Sequence, residues 1–189
     1  MISGTIKINK MKKIILFLLL FMAAALYCRA QNSNDMQARF KFQDAQTAYD
    51  NGDYSTTLSK LGEVQKLLGN ANPKILYLRI MAEYKSIDFA DEYANIPLLR
   101  ALKKNADTYM QKYAANAGED KARDIYEINE EMKQYSDNPD TYKGIATYRN
   151  GDTATALITF TKEANAGDAT AMVFLGRINY QRRSYTEAM

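Results

Sequence analysis

The residues whose types and spacing best suit chemistry are the acids and amides around one glycine: Asp50, Asn51, Gly52 and Asp53. Carboxylate and amide oxygens at such short spacing are typical calcium ligands. An EF-hand calcium loop, however, spans about twelve residues and closes with a glutamate, whereas Leu61 stands near that position. A helix boundary explains the same residues, because glycine ends one helix and aspartate accepts a backbone N–H of the next. The sequence therefore predicts a helix cap here and no metal site.

Two pairs of adjacent acids, Asp91-Glu92 and Glu130-Glu131, are the other candidates for acid–base chemistry. Catalytic carboxylates face one another in a cleft, which raises the pKa of one of them, whereas adjacent residues on a helix point apart. We interpret both pairs as solvated helix faces. The basic pairs Lys103-Lys104 and Arg182-Arg183 are interpreted in the same way, with contacts to a partner as the alternative.

Several kinds of site are excluded by the residue types that the chain lacks. Histidine and tryptophan are absent, and the one cysteine is Cys28. Beyond residue 30, Ser-His-Asp triads, thiolate nucleophiles and zinc sites with Cys or His ligands therefore cannot form. We expect no catalytic residue, no cofactor and no metal.

Tyrosine is the most abundant aromatic residue, with 14 copies. Many are predicted at positions between helices, where the ring fills a groove and the hydroxyl reaches the rim. We interpret these tyrosines as packing residues, and the alternative is that some of them grip a peptide. The tyrosines at such positions are Tyr49, Tyr77, Tyr84, Tyr148 and Tyr180.

Helices are predicted along the whole chain beyond the N-terminal segment. Leu58, Leu61, Val64 and Leu68 recur at helical spacing. Asn72-Pro73 and Asn138-Pro139 place asparagine at the cap and proline at the first helical position. No segment shows the period of two that strands require. We expect an all-α protein with one helix over residues 36–51 and with helices that end at Gly52, Gly69, Gly118, Gly151 and Gly167.

One phrase around a turn is repeated. Tyr49-Asp50-Asn51-Gly52-Asp53 recurs 99 residues later as Tyr148-Arg149-Asn150-Gly151-Asp152. A looser third copy runs from Tyr180 to Met189, with Ser184 as the cap of a last helix. The offset is close to three periods of about 34 residues, which is the spacing of a helical hairpin repeat.

The phrase and its surroundings resemble the tetratricopeptide repeat family. Ala45, Gly52, Asp53, Tyr54 and Leu61 stand where that family has a small residue, the turn and an apolar residue of the second helix. The resemblance covers residues 36–85 and 138–189.

The middle of the chain departs from the pattern. Ile87 stands where the turn glycine belongs, and the hairpin from Pro97 to Tyr135 is longer than one repeat. The segment from Ala166 to Gly176 is similar to the Sel-one-like subclass, and by that resemblance Gly176 should let a neighbouring helix approach closely.

The resemblance implies a right-handed solenoid of antiparallel helical hairpins with a concave groove for a protein or peptide. The turn and cap residues are then Gly52, Asp53, Gly151, Asp152, Gly167 and Asp168. The side chains of the type that lines such a groove are Lys41, Asp44, Asn51, Arg79, Glu83 and Arg149.

Residues 1–30 have the features of a secretory signal peptide. Lys12-Lys13 precede an uncharged run over residues 14–28, which is shorter than the roughly 20 residues that span a bilayer. Cys28 and Ala30 are the small residues of a cleavage site before Gln31. The alternative is a lipid-anchored Cys28, although Tyr27 is larger than that pathway prefers. Met11 is an alternative start.

The positive net charge of +3 comes from the same segment. Beyond residue 30 the chain carries 20 basic and 22 acidic residues, a net charge of −2. Nucleic-acid binding requires a basic stripe, so we expect no nucleic-acid partner. The basic residues of the segment are Lys7, Lys10, Lys12, Lys13 and Arg29.

The chain is expected to divide into the signal peptide 1–30, a flexible lead-in 31–35, helices 36–137 and repeats 138–189. The last hairpin is expected to be incomplete, because Met172, Leu175 and Ile178 form a stripe that a short helix from Ser184 cannot cover. We therefore expect association through this end, or a protein that continues beyond Met189.

The sequence as a whole favours an exported scaffold that mediates protein–protein interaction in a bacterial envelope, that is not an enzyme and that does not span the membrane in its mature form. Two alternatives stay open. One is the helical N-terminal region of a larger envelope enzyme or sensor, and the other is a structural spacer without a ligand.

Overall fold

A computed structural model describes residues 33–69, 72–91 and 93–187 of the chain. Within these ranges all regular structure is helical, with eight α-helices, one short 3-10 helix and no strand. The all-α prediction is therefore confirmed for the described part. The predicted signal peptide and its cleavage site lie outside it.

The helices follow one another with short connections. Helix α1 occupies residues 33–50. The others are α2 (Tyr54–Leu68), α3 (Pro73–Lys85), α4 (Ile96–Lys112), the 3-10 helix (Ala114–Asn116), α5 (Glu119–Met132), α6 (Pro139–Arg149), α7 (Thr153–Asn165) and α8 (Ala169–Glu187).

The chain divides into two compact units, Met1–Ile75 and Leu76–Met189. In the first unit, two ion pairs join α1 to α2. Lys41 Nζ lies 2.7 Å from Glu63 Oε2, and Lys60 Nζ lies 3.9 Å from Asp44 Oδ2. The residues buried in this unit are mostly small or aliphatic, and include Ala38, Ala45, Ala48, Thr57, Leu61, Val64 and Ile75.

In the second unit, helices that are neighbours in sequence pack as hairpins: α4 against α5, α6 against α7, and α7 against α8. Phe160 of α7 and Phe174 of α8 stack with ring centroids 5.1 Å apart. These rings belong to one apolar core that all the helices of the unit share. Its fully buried members include Ile80, Leu99, Leu102, Ala106, Ile125, Met132, Ile145, Ala156, Phe160 and Ala171.

Asparagine and proline together begin two helices of this unit. Asn138 Oδ1 accepts the backbone N–H of Asp140 at the start of α6. Asn95 Oδ1 accepts that of Leu98 at the start of α4, with Pro97 in the first turn. Helix α4 thus begins at Ile96 with the same kind of asparagine cap, within the segment that least resembles the repeat.

Two predicted helix ends are wrong. Residues 33–35, expected in a flexible lead-in, lie within α1, where Gln37 donates to Ser33 Oγ one turn away. Helix α4 ends at Lys112 and not at Gly118. The chain makes a 3-10 turn after it, and Gly118, in extended conformation, precedes α5.

The glycine that permits close helix packing is Gly144 and not Gly176. A Cβ atom on Gly144 would lie 2.9 Å from Phe160 Cε1, whereas nothing lies within 4 Å of the same position on Gly176. The Sel-one-like resemblance implies a close approach at Gly176, but this residue is exposed.

The prediction of a third turn after Tyr180 is also wrong, because α8 continues without a turn from Ala169 to Glu187. Arg183 stands where the earlier copies have their turn glycine, and a residue with a Cβ resists the left-handed conformation. Ile178, predicted to be exposed, is buried against the core, whereas Met172 is half exposed.

The described residues include no helix that is both long and apolar enough to cross a membrane.

Candidate functional site

The three glycine turns are helix junctions with closely similar geometry. Gly52, Gly151 and Gly167 have φ values of +76°, +89° and +92°, a region that side chains with a Cβ rarely adopt. The following aspartates each accept a backbone N–H three residues on: Asp53 from Thr56 at 3.0 Å, Asp152 from Thr155 at 3.0 Å and Asp168 from Ala171 at 2.9 Å.

The cap bond at Asp53 engages one of the two carboxylates at which a calcium site was considered. The backbone N–H of Thr56 holds the pKa of Asp53 below its usual value, and that of Thr155 does the same for Asp152. Across the described residues, the acids form no group of three or more that could hold a metal ion.

Three of the predicted groove residues lie in the first unit. Lys41 and Asp44 take part in the ion pairs that join α1 to α2. Asn51 is exposed in the turn after α1. Both charged side chains are therefore engaged within the unit.

The other three predicted groove residues lie in the second unit and do not form one surface. Glu83 is 3 % exposed, and the amide of Asn105 donates to its carboxylate at 2.9 Å. Glu83 thus belongs to the interior and not to a groove. Arg79 is partly buried on the same helix. Arg149 binds Asp91 through two hydrogen bonds of 2.5 and 2.8 Å.

The paired acids also serve the fold. Asp91 holds Arg149, Glu130 pairs with Lys133, and Glu131 accepts the hydroxyl of Tyr84 at 2.8 Å. Each of these three carboxylates is thus engaged by a neighbouring group, whereas Glu92 lies outside the described residues.

The tyrosines join helices through their hydroxyls. Tyr77 donates to Asp124 at 2.6 Å and Tyr148 to Gln181 at 2.8 Å. In both cases the ring packs against the core and the hydroxyl reaches its rim. Tyr180 differs, because it is 75 % exposed on α8.

The connection between α5 and α6 is fixed to the turn between α7 and α8. Asp168 Oδ2 accepts the hydroxyls of Ser136 and Thr141, and the backbone N–H of Ser136 donates to Thr170 Oγ1 at 3.0 Å. Burial raises the pKa of Asp168, but the hydrogen bonds to its carboxylate outweigh burial and leave the pKa below its usual value. This network is structural, since it satisfies its own members.

A groove of about 470 Å³ runs along α4 in the second unit. One wall is the outer face of α4, and the other is the chain at Ser136 and Asp137. We call it the α4 groove. Its lining combines polar and apolar surface and consists of Pro97, Arg100, Ala101, Lys103, Lys104, Asp107, Thr108, Gln111, Ser136 and Asp137.

Three cations, Arg100, Lys103 and Lys104, lie at the N-terminal end of the α4 groove. The guanidinium of Arg100 lies over the ring of Tyr142 at 5.4 Å from its centroid. Among the described residues, no carboxylate lies within 4.0 Å of the charged group of Arg100 or Lys104. This end of the groove therefore presents positive charge to solvent.

Lys103 differs from its neighbour Lys104 because it is only 8 % exposed. Its ammonium donates to the backbone carbonyl of Met132, at the end of α5, at 3.3 Å. It also lies 3.4 Å from Asp137 Oδ1. A cation at a helix C-terminus is favourable, because the unpaired carbonyls there carry partial negative charge.

The sequence does not predict this groove, since Lys103-Lys104 is interpreted as a solvated face with contacts to a partner as the alternative. One signal was available, since positions 100, 104, 107, 108 and 111 share one face of a helix. The second wall, at residues 136–137, is brought in only by the packing of α5 on α4.

No family model, curated protein or solved structure matches this chain.

Proposed function

We propose that the protein is an exported scaffold of stacked, tetratricopeptide-like hairpins that binds a protein partner in the bacterial envelope. The α4 groove is the observation that carries this proposal. It is open and carries charged side chains, and its walls are one face of helix α4 and the connection between α5 and α6. Such a surface suits an extended segment of another protein better than a small molecule, for which pockets are enclosed and mostly apolar.

Two matching turns support the repeat architecture. Asp53 and Asp152 stand 99 residues apart in sequence, yet their φ and ψ values are −86° and 76° against −83° and 72°. Each follows a glycine at positive φ and caps the next helix through a threonine N–H. Recurrence of one hairpin junction is expected of a solenoid.

Export is supported by the N-terminal sequence. The basic residues before the uncharged run 14–28, and the small residues before Gln31, have the order of a secretory signal. The absence of cysteine beyond residue 30 suits an oxidising compartment.

A crosslinking pull-down from envelope extract of the producing cell tests the scaffold role. We expect the protein to retain one stoichiometric partner. Gln111→Trp, which fills the α4 groove from an exposed position, should abolish retention. Lys112→Trp is the matched control, since this neighbouring exposed residue does not line the groove. Recovery of no stoichiometric partner by the unmodified protein would refute the scaffold and favour a structural spacer.

A second candidate is the helical region of a larger envelope enzyme or sensor. The outer face of α8 favours it, because Met172, Val173 and Tyr180 are at least half exposed on the side opposite the buried Phe174 and Ile178. A helix that is apolar on both sides normally packs on both sides. The complete reading frame decides between the two candidates.

A further inference from the structure

We propose that the cationic end of the α4 groove binds an acidic peptide segment of the partner, and that Asp137 occupies its anchor position in the free protein. This inference rests on the proposed function and adds the chemistry of the ligand. It depends on three features: a buried anchor cation, an exposed internal carboxylate that pairs with it, and two further cations that have no carboxylate of the described residues within 4.0 Å.

Lys103 is the anchor. Its side chain is largely buried between α4 and the end of α5, and its ammonium is held by the carbonyl of Met132. An ammonium fixed in this way has already lost most of its side-chain freedom, so a carboxylate that binds it pays less of that entropic cost. The ammonium faces the groove, where it meets Asp137.

Asp137 is the internal carboxylate that a ligand would displace. Its side chain is 85 % exposed, and its contact with Lys103 is long for a charge-assisted hydrogen bond, at 3.4 Å. Ion pairs with an exposed partner contribute little to stability, because solvent screens them. A ligand carboxylate can therefore replace Asp137 at little cost, and Asp137 is free to swing into solvent.

Arg100 and Lys104 provide the second contact. They stand four residues apart on α4, so both project from the same face. Neither has a carboxylate within 4.0 Å among the described residues. A peptide with one carboxylate at Lys103 and another between Arg100 and Lys104 would neutralise all three cations.

The remainder of the groove limits the ligand to a short acidic segment. Asp107 lies further along the same face and interacts electrostatically with Lys133. A polyanion such as nucleic acid would have to pass Asp107 as well as Asp137, and it would meet no continuous basic stripe. A peptide can fit, because its acidic residues can be confined to two or three positions next to the cations.

The test uses the protein as it exists and a fluorescein-labelled peptide in which glutamates alternate with glycines. Its binding is followed by fluorescence anisotropy at low ionic strength, because salt screens exposed charges. The same peptide with glutamine in place of glutamate is the ligand control. Asp137→Asn should raise the affinity for the glutamate peptide about threefold, since it removes the internal competitor.

Lys104→Gln should lower that affinity about threefold, and Lys112→Gln, the same charge change outside the groove on the same helix, should leave it unchanged within about 1.5-fold. All three positions are exposed, and circular dichroism checks that each variant is folded. Equal binding of the glutamine peptide, or an unchanged affinity in Asp137→Asn, would overturn the inference.

The pull-down separates failure of this inference from failure of the scaffold. A stoichiometric partner that is lost with Gln111→Trp but retained by Lys104→Gln, and not displaced by the glutamate peptide, would leave the scaffold standing and overturn the acidic ligand. Displacement of that partner by the glutamate peptide but not by the glutamine peptide supports both.

Discussion

The packing of α6 on α7 depends on the missing side chain of Gly144. A Cβ atom there would lie 2.9 Å from Phe160 Cε1 and 3.1 Å from Thr159 Cγ2. Phe160 is fully buried and stacked on Phe174, so its ring has little room to withdraw. One methyl group at residue 144 would therefore move α6 away from the core.

We predict that Gly144→Ala destabilises the protein by about 1–3 kcal/mol, the usual cost of overpacking a filled core. Gly176→Ala is the control, because nothing lies near its Cβ position and alanine favours a helix by about 1 kcal/mol over glycine. Urea denaturation measures both. Equal stability of Gly144→Ala and the unmodified protein would show that residue 144 does not limit the packing of α6 on α7.

Glu83 is a carboxylate held in the interior. Burial raises its pKa, while hydrogen bonds from Asn105 and the charge of Arg79 partly oppose that shift. A raised carboxyl pKa means that the folded state binds the proton more tightly than the unfolded state does. Glu83 therefore lowers stability at neutral pH, and this loss disappears as the pH falls through the pKa of the folded state.

We predict that Glu83→Gln raises the free energy of unfolding at pH 7 by about 1 kcal/mol, the scale of one buried polar group. The glutamine keeps an acceptor for Asn105. The gain should shrink towards pH 4, where Glu83 itself is protonated. Glu127→Gln, at an exposed position of α5, should show neither effect. A gain that is independent of pH would contradict the assigned cause.

The hairpin junction is the element that the chain reuses. In both copies a glycine at positive φ ends one helix and an aspartate begins the next within two residues. Such a short connection leaves no residue to absorb a change, so the glycine conformation sets the direction of the following helix.

We predict that Gly151→Val destabilises the protein by about 1–2 kcal/mol, because a β-branched residue resists the left-handed conformation. Gly151→Asn should cost less, since asparagine tolerates that conformation. No atom lies within 4 Å of the Cβ position of Gly151, so any loss comes from the backbone. Thermal denaturation distinguishes the two variants, and identical midpoints would argue against backbone strain.

Helix α8 carries apolar side chains on opposite sides. Phe174 and Ile178 face the core, whereas Val173 and Tyr180 are exposed. Gly176 lies on the exposed side without a neighbour near its Cβ position. An outer face of this kind suits another helix and agrees with the expectation of association at this end of the chain.

The molecule has different charge before and after the predicted cleavage. The full chain carries a net charge of +3, and residues 31–189 carry −2. We predict that the exported form begins at Gln31 and carries no lipid. Mass spectrometry of the N-terminal peptide from cells that secrete the protein measures this. An acylated Cys28 as the first residue would instead place the protein on a membrane surface.

Within the described part of the chain, the all-α class and the glycine turns were predictable from the sequence, because caps and left-handed glycines are decided by residues three or four apart. The predicted ends of α1 and α4 are wrong, and the turn predicted after Tyr180 does not occur in α8, because the local signals at these places are missing or ambiguous.

Only the tertiary structure decided which side chains are buried and which are exposed to solvent or to a ligand. Lys103 and Lys104 are neighbours of the same type, yet one is buried at the end of α5 and the other faces solvent. Glu83 is buried because Asn105, 22 residues away, packs onto it, and Gly144 matters because Phe160 lies opposite. Sequence periodicity assigns a residue to a face of its own helix, but the partner that covers that face comes from another helix, and only their packing brings the two together.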